Sequence, residues 1–544
     1  VAGLAAVFGS GAMTNSIEEI ERADCIFIFG SNTSVAHPLI ATRVFRAKTR
    51  GAKIIVADPR KIPMVLISDL HLRHRLGTDV ALINGIMHII LKNGWQDQIF
   101  IDERTENFEE LKKVIENYPP EKVSEITGVA VSHLELAAEY YGKAERASIL
   151  YTMGITQHTT GVDNVKSLAN LVMLTGNVGR ESTGLNPLRG QNNVQGACDM
   201  GGLPNVFTGY QPVTDPSARK KFEEAWGCKL PEKVGITATE MFPAILEGKI
   251  KGMIILGENP IVTDADSHHI EKALKSLDFL LVIDIFPTHT TELSHVTLPG
   301  ASFAEKEGTF TNTERRVQMV RKAVEPPGEA KPDWRIIQEL SYRFGFPMDY
   351  ESPKEIMEEI AKLTPSYSGI SYERLQGDGI QWPCPNREHP GTKFLHQGSF
   401  TRGKGLFTPI DYKPPAEVVD EEFPFWLTTG RIHVHYHTLT MTGNSPSLLR
   451  EMQEGFLEIN PSDAKELGVK EDELIKVESK RGSVVTKAKL TDRVARGIVF
   501  MPFHFFESRA NILTNPALDP VAKIPEFKVC AVKIKKIEAQ AAIS

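Results

Sequence analysis

The apolar positions of this chain fall in short runs separated by amphipathic stretches. ADCIFIFG (23–30), AKIIVADPR (52–60) and RASILYTMG (146–154) are strand-like runs that close on a glycine or an Asp-Pro turn. Stretches such as HLELAAEYYGKAERA (133–147) between them carry the helical period. Strand, helix, strand in this order predicts an α/β fold with a parallel sheet covered by helices. Ser16-x-x-Glu19 has the form of a capping box and is expected to open the first helix.

The order then returns. KGMIILGENP (251–260) ends in Gly257-x-Asn259, and LDFLLVIDIF (277–286) runs past Asp284. The first copy reads Gly30-x-Asn32 and then Asp58. The glycine-to-aspartate separation is 28 residues in the first copy and 27 in the second. Two related βαβ units follow from this spacing, each with a ligand loop at the carboxyl ends of its strands.

From about residue 420 the texture changes. FPFWLTTG, FLEINPSDAKELGV, ELIKVESKRGSVVTKAKL and GIVFMPFHF read as short strands with tight turns, hence a separate, mostly β domain. Residues 366–422 are rich in Gly, Pro and Tyr and read as a connecting or covering segment. The expected division is 1–191 and 192–354 for the two α/β domains, the second with an excursion at about 304–332. A cover at 355–419 and a β domain at 420–544 complete it.

Composition narrows the function classes. With 544 residues, 41% hydrophobic and 24% charged, the chain is an ordinary globular protein of several domains. A net charge of −7 gives no footprint for nucleic acid. No apolar run reaches the roughly 18 residues that a membrane span needs. The five cysteines contain no C-x2-C pair, which argues against a cysteine-bound cluster or zinc site in this chain. Their odd number and scatter fit a reducing compartment, so the cytoplasm is the expected location. The periplasm stays open because the N-terminus is expected to be missing.

Three segments carry candidate chemistry. NPLRGQNNVQGACDMGG (186–202) is dense in amides and glycines and is neither a good helix nor a good strand; it suits a polar heterocycle or an oxyanion. Its Arg189 could grip a carboxylate with a planar fork. In RIHVHYHTLTMTGN (431–444), His433, His435 and His437 alternate, so a strand would point all three to one face. That spacing suits a metal but also arises on any polar strand face. EKEGTFTNTERRVQ (305–318) reads by itself as a turn with a solvated flank. There is no G-x-S-x-G elbow, Walker A motif, H-E-x-x-H or G-x-G-x-x-G after a strand.

Taken in order, GSGAMTNS, GSNTSVAHP, ADPRK, LTGNVG, RGQNNVQGACDMG, GENP, EGTFTNTERRVQ and MTGN resemble the molybdopterin bis-guanine-dinucleotide oxidoreductases, the dimethyl-sulfoxide-reductase family. RGQNNVQGACDMG points within it to formate dehydrogenase. The resemblance covers essentially the whole chain. It implies two α/β units that each hold one pterin guanine dinucleotide, and a six-stranded β-barrel that closes over both. It implies oxidation of formate to CO2 at a molybdenum or tungsten centre, with Arg189 orienting the substrate. The three histidines then fall where the family contacts a pterin, which counts against zinc.

The resemblance also assigns cofactor residues. In the first α/β domain they are Gly30, Ser31, Asn32 and His37, then Asp58, Pro59 and Arg60, then Gly77, Thr78 and Asp79, then Met153, Gly154 and Gln157. The amide-rich loop contributes Gly190, Gln191 and Asn192. The second copy contributes Gly257, Glu258, Asn259, Asp264, Asp284 and Ile285. Arg431, Val434, His435, His437, Asn511, Phe527 and Lys528 follow from the β domain.

Members of this group read Cys or selenocysteine, His, any residue, Pro, Ser and then Val-Ala-Gly-Leu, and this chain begins Val1-Ala2-Gly3-Leu4. The metal ligand is therefore expected just upstream of Val1, together with a [4Fe–4S] cluster that takes up the electrons. A selenocysteine codon read as a stop would place the break there, and so would a split subunit whose N-terminal half is a separate chain. The isolated chain is expected to be inactive without that part, and iron–sulfur subunits are the expected electron partners. A nitrate-reductase-type activity and a non-catalytic structural subunit are the alternatives.

Overall fold

The computed structural model describes residues 1–537 and divides into two compact units. One joins Val1–Leu188, Pro260–Ile270 and the chain from Phe394 onward; the other joins Arg189–Asn259 and Glu271–Lys393. Among the described residues no helix is long and apolar enough to cross a membrane.

The first unit is built on a parallel sheet of β1 (Cys25–Phe29), β2 (Lys53–Ala57), β3 (Leu70–Leu72), β4 (Ala147–Tyr151) and β5 (Gly184–Pro187), in the order β3-β2-β1-β4-β5. All five residues of β1 are buried because helices cover both faces. Alternation sorts them. Cys25, Phe27 and Phe29 pack with Leu82, Ile86 and Tyr141 on one face, while Ile26 and Ile28 pack with Ile40 and Val44 on the other. β1 lies between β2 and β4, with Phe29 opposite both Ala57 and Tyr151, so the loops that follow these strands emerge side by side.

Two local elements differ from the sequence expectation. The amphipathic stretch at 133–147 is helical only over Val131–Gly142, because the chain must turn to enter β4 at Ala147. Glu19 does accept the Ser16 backbone N–H (2.7 Å), but the turn it opens is the 3-10 helix Glu18–Arg22, and a short helix at Ala2–Phe8 precedes it. The segment 366–422 has little regular structure, as its composition implies, and within it Tyr367, Trp382, Cys384, Phe400 and Phe407 are buried.

The second unit contains β6 (Gly252–Leu256), β7 (Phe279–Asp284) and β8 (Val296–Pro299), all parallel, in the order β8-β7-β6. The hairpin β9 (Gly308–Thr311) and β10 (Arg316–Val320) follows. Its turn is not the solvated flank expected from sequence. Glu314 and Arg315 are buried, and the Arg315 guanidinium donates to the backbone carbonyls of Trp382, Thr392 and Lys393.

The C-terminal segment closes into a six-stranded barrel: β11 (Phe425–Gly430), β12 (Phe456–Ile459), β13 (Leu474–Glu478), β14 (Ser483–Leu490), β15 (Ile498–Pro502) and β16 (Cys530–Lys536). Its order is β11-β15-β12-β14-β13-β16. Alternate apolar residues such as Leu427, Leu457, Ile475, Val477 and Val499 fill it. One stretch expected to be strand and turn is a helix, Pro461–Leu467, capped by the Asn460 side chain on the Ser462 N–H (3.0 Å).

Candidate active site

The two copies of the Gly-x-Asn…Asp pattern have the same backbone construction. Gly30, at φ 50°, donates its N–H to the Ala57 carbonyl (3.0 Å), the residue before Asp58. Gly257, at φ 62°, donates to the Ile283 carbonyl (2.8 Å), the residue before Asp284. Each glycine thus turns the chain left-handed at the carboxyl end of its strand and ties it to the next strand. Both aspartates are raised above the ordinary carboxylate range by burial and hold a nearby backbone N–H, Arg60 for Asp58 (2.9 Å) and Ile285 for Asp284 (2.7 Å).

The copies differ in what faces the glycine. The Gly154 N–H donates to the Gly30 carbonyl (3.0 Å), and so does the Thr152 hydroxyl (2.7 Å). A Cβ on Gly30 would lie 2.7 Å from Gly154 backbone atoms, and one on Gly154 would lie 2.5 Å from those of Gly30. Around Gly257 a Cβ would meet nothing within 4 Å.

Within the first unit, a cavity of about 350 Å³ opens beside the Gly30 and Asp58 loops. Asn32, Arg60, Lys61, Arg431 and Val434 line it, together with Lys489 and Arg493 of the barrel segment. Five of its fifteen lining residues are lysine or arginine, and Glu458 is the one carboxylate among them. Arg60 is fixed there by Glu458 (2.7 Å) and lies 3.4 Å over the ring of Phe500. The buried Asn32 Oδ1, Ser34 Oγ and Arg60 Nε have no hydrogen-bond partner among the described residues. Orphaned polar atoms beside a cationic wall fit a polar, anionic group such as a dinucleotide.

Lys528 lies near two of these cations, Arg60 and Arg431. Its ammonium donates to the Thr429 carbonyl (2.7 Å), and burial, with Arg431 and Arg60 nearby, pushes it down to about 7. An unfolded lysine titrates near 10.5, so the unfolded chain holds the extra proton between pH 7 and 10.5. Stability of the cofactor-free chain therefore rises with pH across that window. Lys528→Met is expected to raise its thermal midpoint most at pH 7 and below, with the gain fading toward pH 10.5. Melting curves of both forms across this range check it; a gain that does not change with pH would contradict it.

The histidine triplet departs from the expected strand. β11 ends at Gly430, and His437 takes φ 48°. His433 is exposed, His435 is buried, and both ring nitrogens of His435 are engaged, by Thr442 Oγ1 (3.2 Å) and the Met452 carbonyl (2.6 Å). Burial and Arg431 push His437 down to about 4, so it is neutral near pH 7. Among the described residues no group of three His, Cys, Asp or Glu side chains could hold a metal ion.

Other expected residues make hydrogen bonds within the first unit. The Thr78 hydroxyl donates to Arg75 (2.7 Å), and Asp79 pairs with buried His74 (3.1 Å). Asn511 donates to the Val262 and Thr263 carbonyls (2.9 Å each), just before Asp264. The Phe527 carbonyl accepts from Thr429 (2.8 Å), and the Gln157 carbonyl accepts from the Lys528 N–H (3.3 Å).

In the second unit the amide-rich loop is more ordered than its composition suggests, because Val194–Asp199 forms a short helix. Arg189 donates its backbone N–H to Thr313 Oγ1 (3.0 Å) and its Nη2 to Gln195 Oε1 (3.2 Å). Asn193 Oδ1 accepts from the Thr311 N–H (3.0 Å). The 305–318 hairpin thus braces the arginine loop, a role its own composition did not announce. Gly190, Gln191 and Asn192 follow Arg189 in this loop, and Glu258 adjoins Asn259, whose Oδ1 accepts from Thr290 (2.7 Å). Sequence reading missed Gln195, Thr313, Glu458 and Arg493. The i, i+4 spacing of Gln195 and Asp199 was the one available signal among them.

Comparison with known proteins agrees with this construction. Residues 4–343 match the family "Molybdopterin oxidoreductase", and residues 425–531 match "Molydopterin dinucleotide binding domain". The F420-dependent formate dehydrogenase subunit alpha of Methanocaldococcus jannaschii is 56% identical over 542 residues, 99% of this chain and 80% of that protein. Formate dehydrogenase H of Escherichia coli is 42% identical over 549 residues, covering 100% of this chain and 77% of that protein. Acetylene hydratase from Pelobacter acetylenicus shares the fold, with a TM-score of 0.76 over 98% of this chain and 80% of its own, at 21% identity. With paired glycine–aspartate loops, a closed barrel and a cationic cavity in place, the chain belongs to the molybdopterin oxidoreductase family.

Proposed function

We propose that this chain forms the greater part of a formate dehydrogenase catalytic subunit, oxidising formate to CO2 with release of one proton and two electrons per formate. The bound molybdenum or tungsten pterin group would accept the electrons. Arg189 would hold the formate carboxylate through its fork and fix the C–H bond for cleavage. The cationic wall of Arg60, Arg431, Lys489 and Arg493 would hold the phosphates of one dinucleotide, and Asp58 and Asp284 would mark the two nucleotide loops. Electrons would leave through iron–sulfur centres outside this chain. The orientation of Arg189 by Gln195 is the single observation in the structure that best supports a carboxylate substrate.

Three relatives at 51–56% identity are F420-dependent formate dehydrogenase alpha subunits, which favours a deazaflavin as the final acceptor. Five free cysteines fit a reducing compartment. An assay of the purified holoenzyme with formate and nitrate side by side, using a viologen dye and F420, tests the reading. Formate-dependent reduction of both acceptors is expected. Nitrate turnover without formate oxidation would replace it.

A further inference from the structure

A buried carboxylate stands behind the arginine loop. Asp199 is fully buried and accepts four hydrogen bonds. Its Oδ1 takes the Gln195 amide (2.8 Å) and the Tyr210 hydroxyl (2.9 Å); its Oδ2 takes the Tyr367 hydroxyl (2.5 Å) and the Trp382 indole N–H (2.6 Å). Four donors on two oxygens fill the acceptor capacity of an ionised carboxylate. Both hydrogens of the Gln195 amide are also committed, one to Asp199 and one to the Tyr210 oxygen (2.8 Å). The only amide atom left is Oε1, and it meets Arg189 Nη2 at 3.2 Å.

We propose that Asp199 is a positioning residue for Arg189, acting through Gln195, whose amide it locks with the carbonyl oxygen toward the guanidinium. The inference rests on the reading of Arg189 as the formate-holding residue. The relay has a chemical reason. A carboxylate paired directly with Arg189 would compete with a carboxylate substrate for the same fork. A neutral amide orients the fork without setting a second carboxylate on it. If Asp199 lost its charge, the Gln195 amide could turn over and present N–H groups to the guanidinium, setting donor against donor.

The test uses the purified holoenzyme and two readouts: formate kinetics, and equilibrium binding of nitrate, a planar oxyanion with no hydride to give. Gln195→Met and Asp199→Asn are each expected to raise KM for formate and Kd for nitrate about tenfold, with kcat changed less than threefold. The double variant is expected to be no worse than either single one, because both break the same link. Additive losses, or a fall in kcat with unchanged KM, would mark a merely structural role and overturn the proposal. If Asp199→Asn does not fold, Tyr210→Phe takes its place, since it removes the oxygen that receives the second Gln195 hydrogen and one of the four donors to Asp199. A rise in KM of about threefold or more supports the relay, and an unchanged KM overturns it. Arg189→Gln serves as the reference. If it binds nitrate like the parent protein, the reading of Arg189 itself fails; if it loses binding while Gln195→Met does not, only the relay fails.

Discussion

Arg189→Lys in the holoenzyme is expected to lower kcat/KM for formate by about 10³, with the metal content unchanged. Lysine keeps the charge but not the planar fork. A single ammonium cannot hold both carboxylate oxygens, and it cannot keep the Gln195 contact in the same geometry. The loss should fall on both KM and kcat, because the fork holds the carboxylate and also fixes the approach of the C–H bond. Steady-state kinetics beside metal analysis checks this. A variant with full metal content and near-normal kcat/KM would remove Arg189 from the substrate site.

Gly154→Ala is expected to abolish the first nucleotide loop and to lower the thermal midpoint by many degrees. Its Cβ would sit 2.5 Å from Gly30 backbone atoms, which cannot give way as the end of a flexible side chain could. Gly30→Ala meets the same obstacle at 2.7 Å and adds the cost of φ 50°. Overpacking and a left-handed alanine together come to about 2–5 kcal/mol. Gly257→Ala is the internal control. It has the same backbone conformation with an open Cβ direction, so it should cost only about 1–2 kcal/mol. Thermal melts and soluble yields of the three variants decide it; equal losses at all three positions would show that the close approach of the two loops is not what matters.

Part of the scaffold was legible because strands such as β1 and β7 are buried along most of their length. Uninterrupted apolar runs such as CIFIF and FLLVID announced themselves, and the glycine and aspartate closing each run marked the loops. Five barrel strands fall within the four stretches read as short strands; the sixth, Cys530–Lys536, and the closure came only with the resemblance. What stayed hidden depends on distant pairing. The histidine stretch alternates like a strand, but the Ile432 N–H goes to His504 Nε2 (3.0 Å) and no ladder continues past Gly430. The 305–318 hairpin looked solvated because its charges are local in sequence; only the carbonyls of Trp382, Thr392 and Lys393 explain a buried Arg315. In the same way the partners of Asp199 lie up to 183 residues away, beyond the reach of any local pattern.

The proposed formate dehydrogenase would bind two guanine dinucleotides, one at each glycine–aspartate loop, and one molybdenum or tungsten atom. Acid release of guanine nucleotide from the purified holoenzyme, measured beside its molybdenum and tungsten content, tests it most directly. The account predicts about two guanine nucleotides and about one metal atom per chain, one nucleotide for each glycine–aspartate loop. A protein that carries neither nucleotide nor metal, or only one nucleotide per metal, would contradict it.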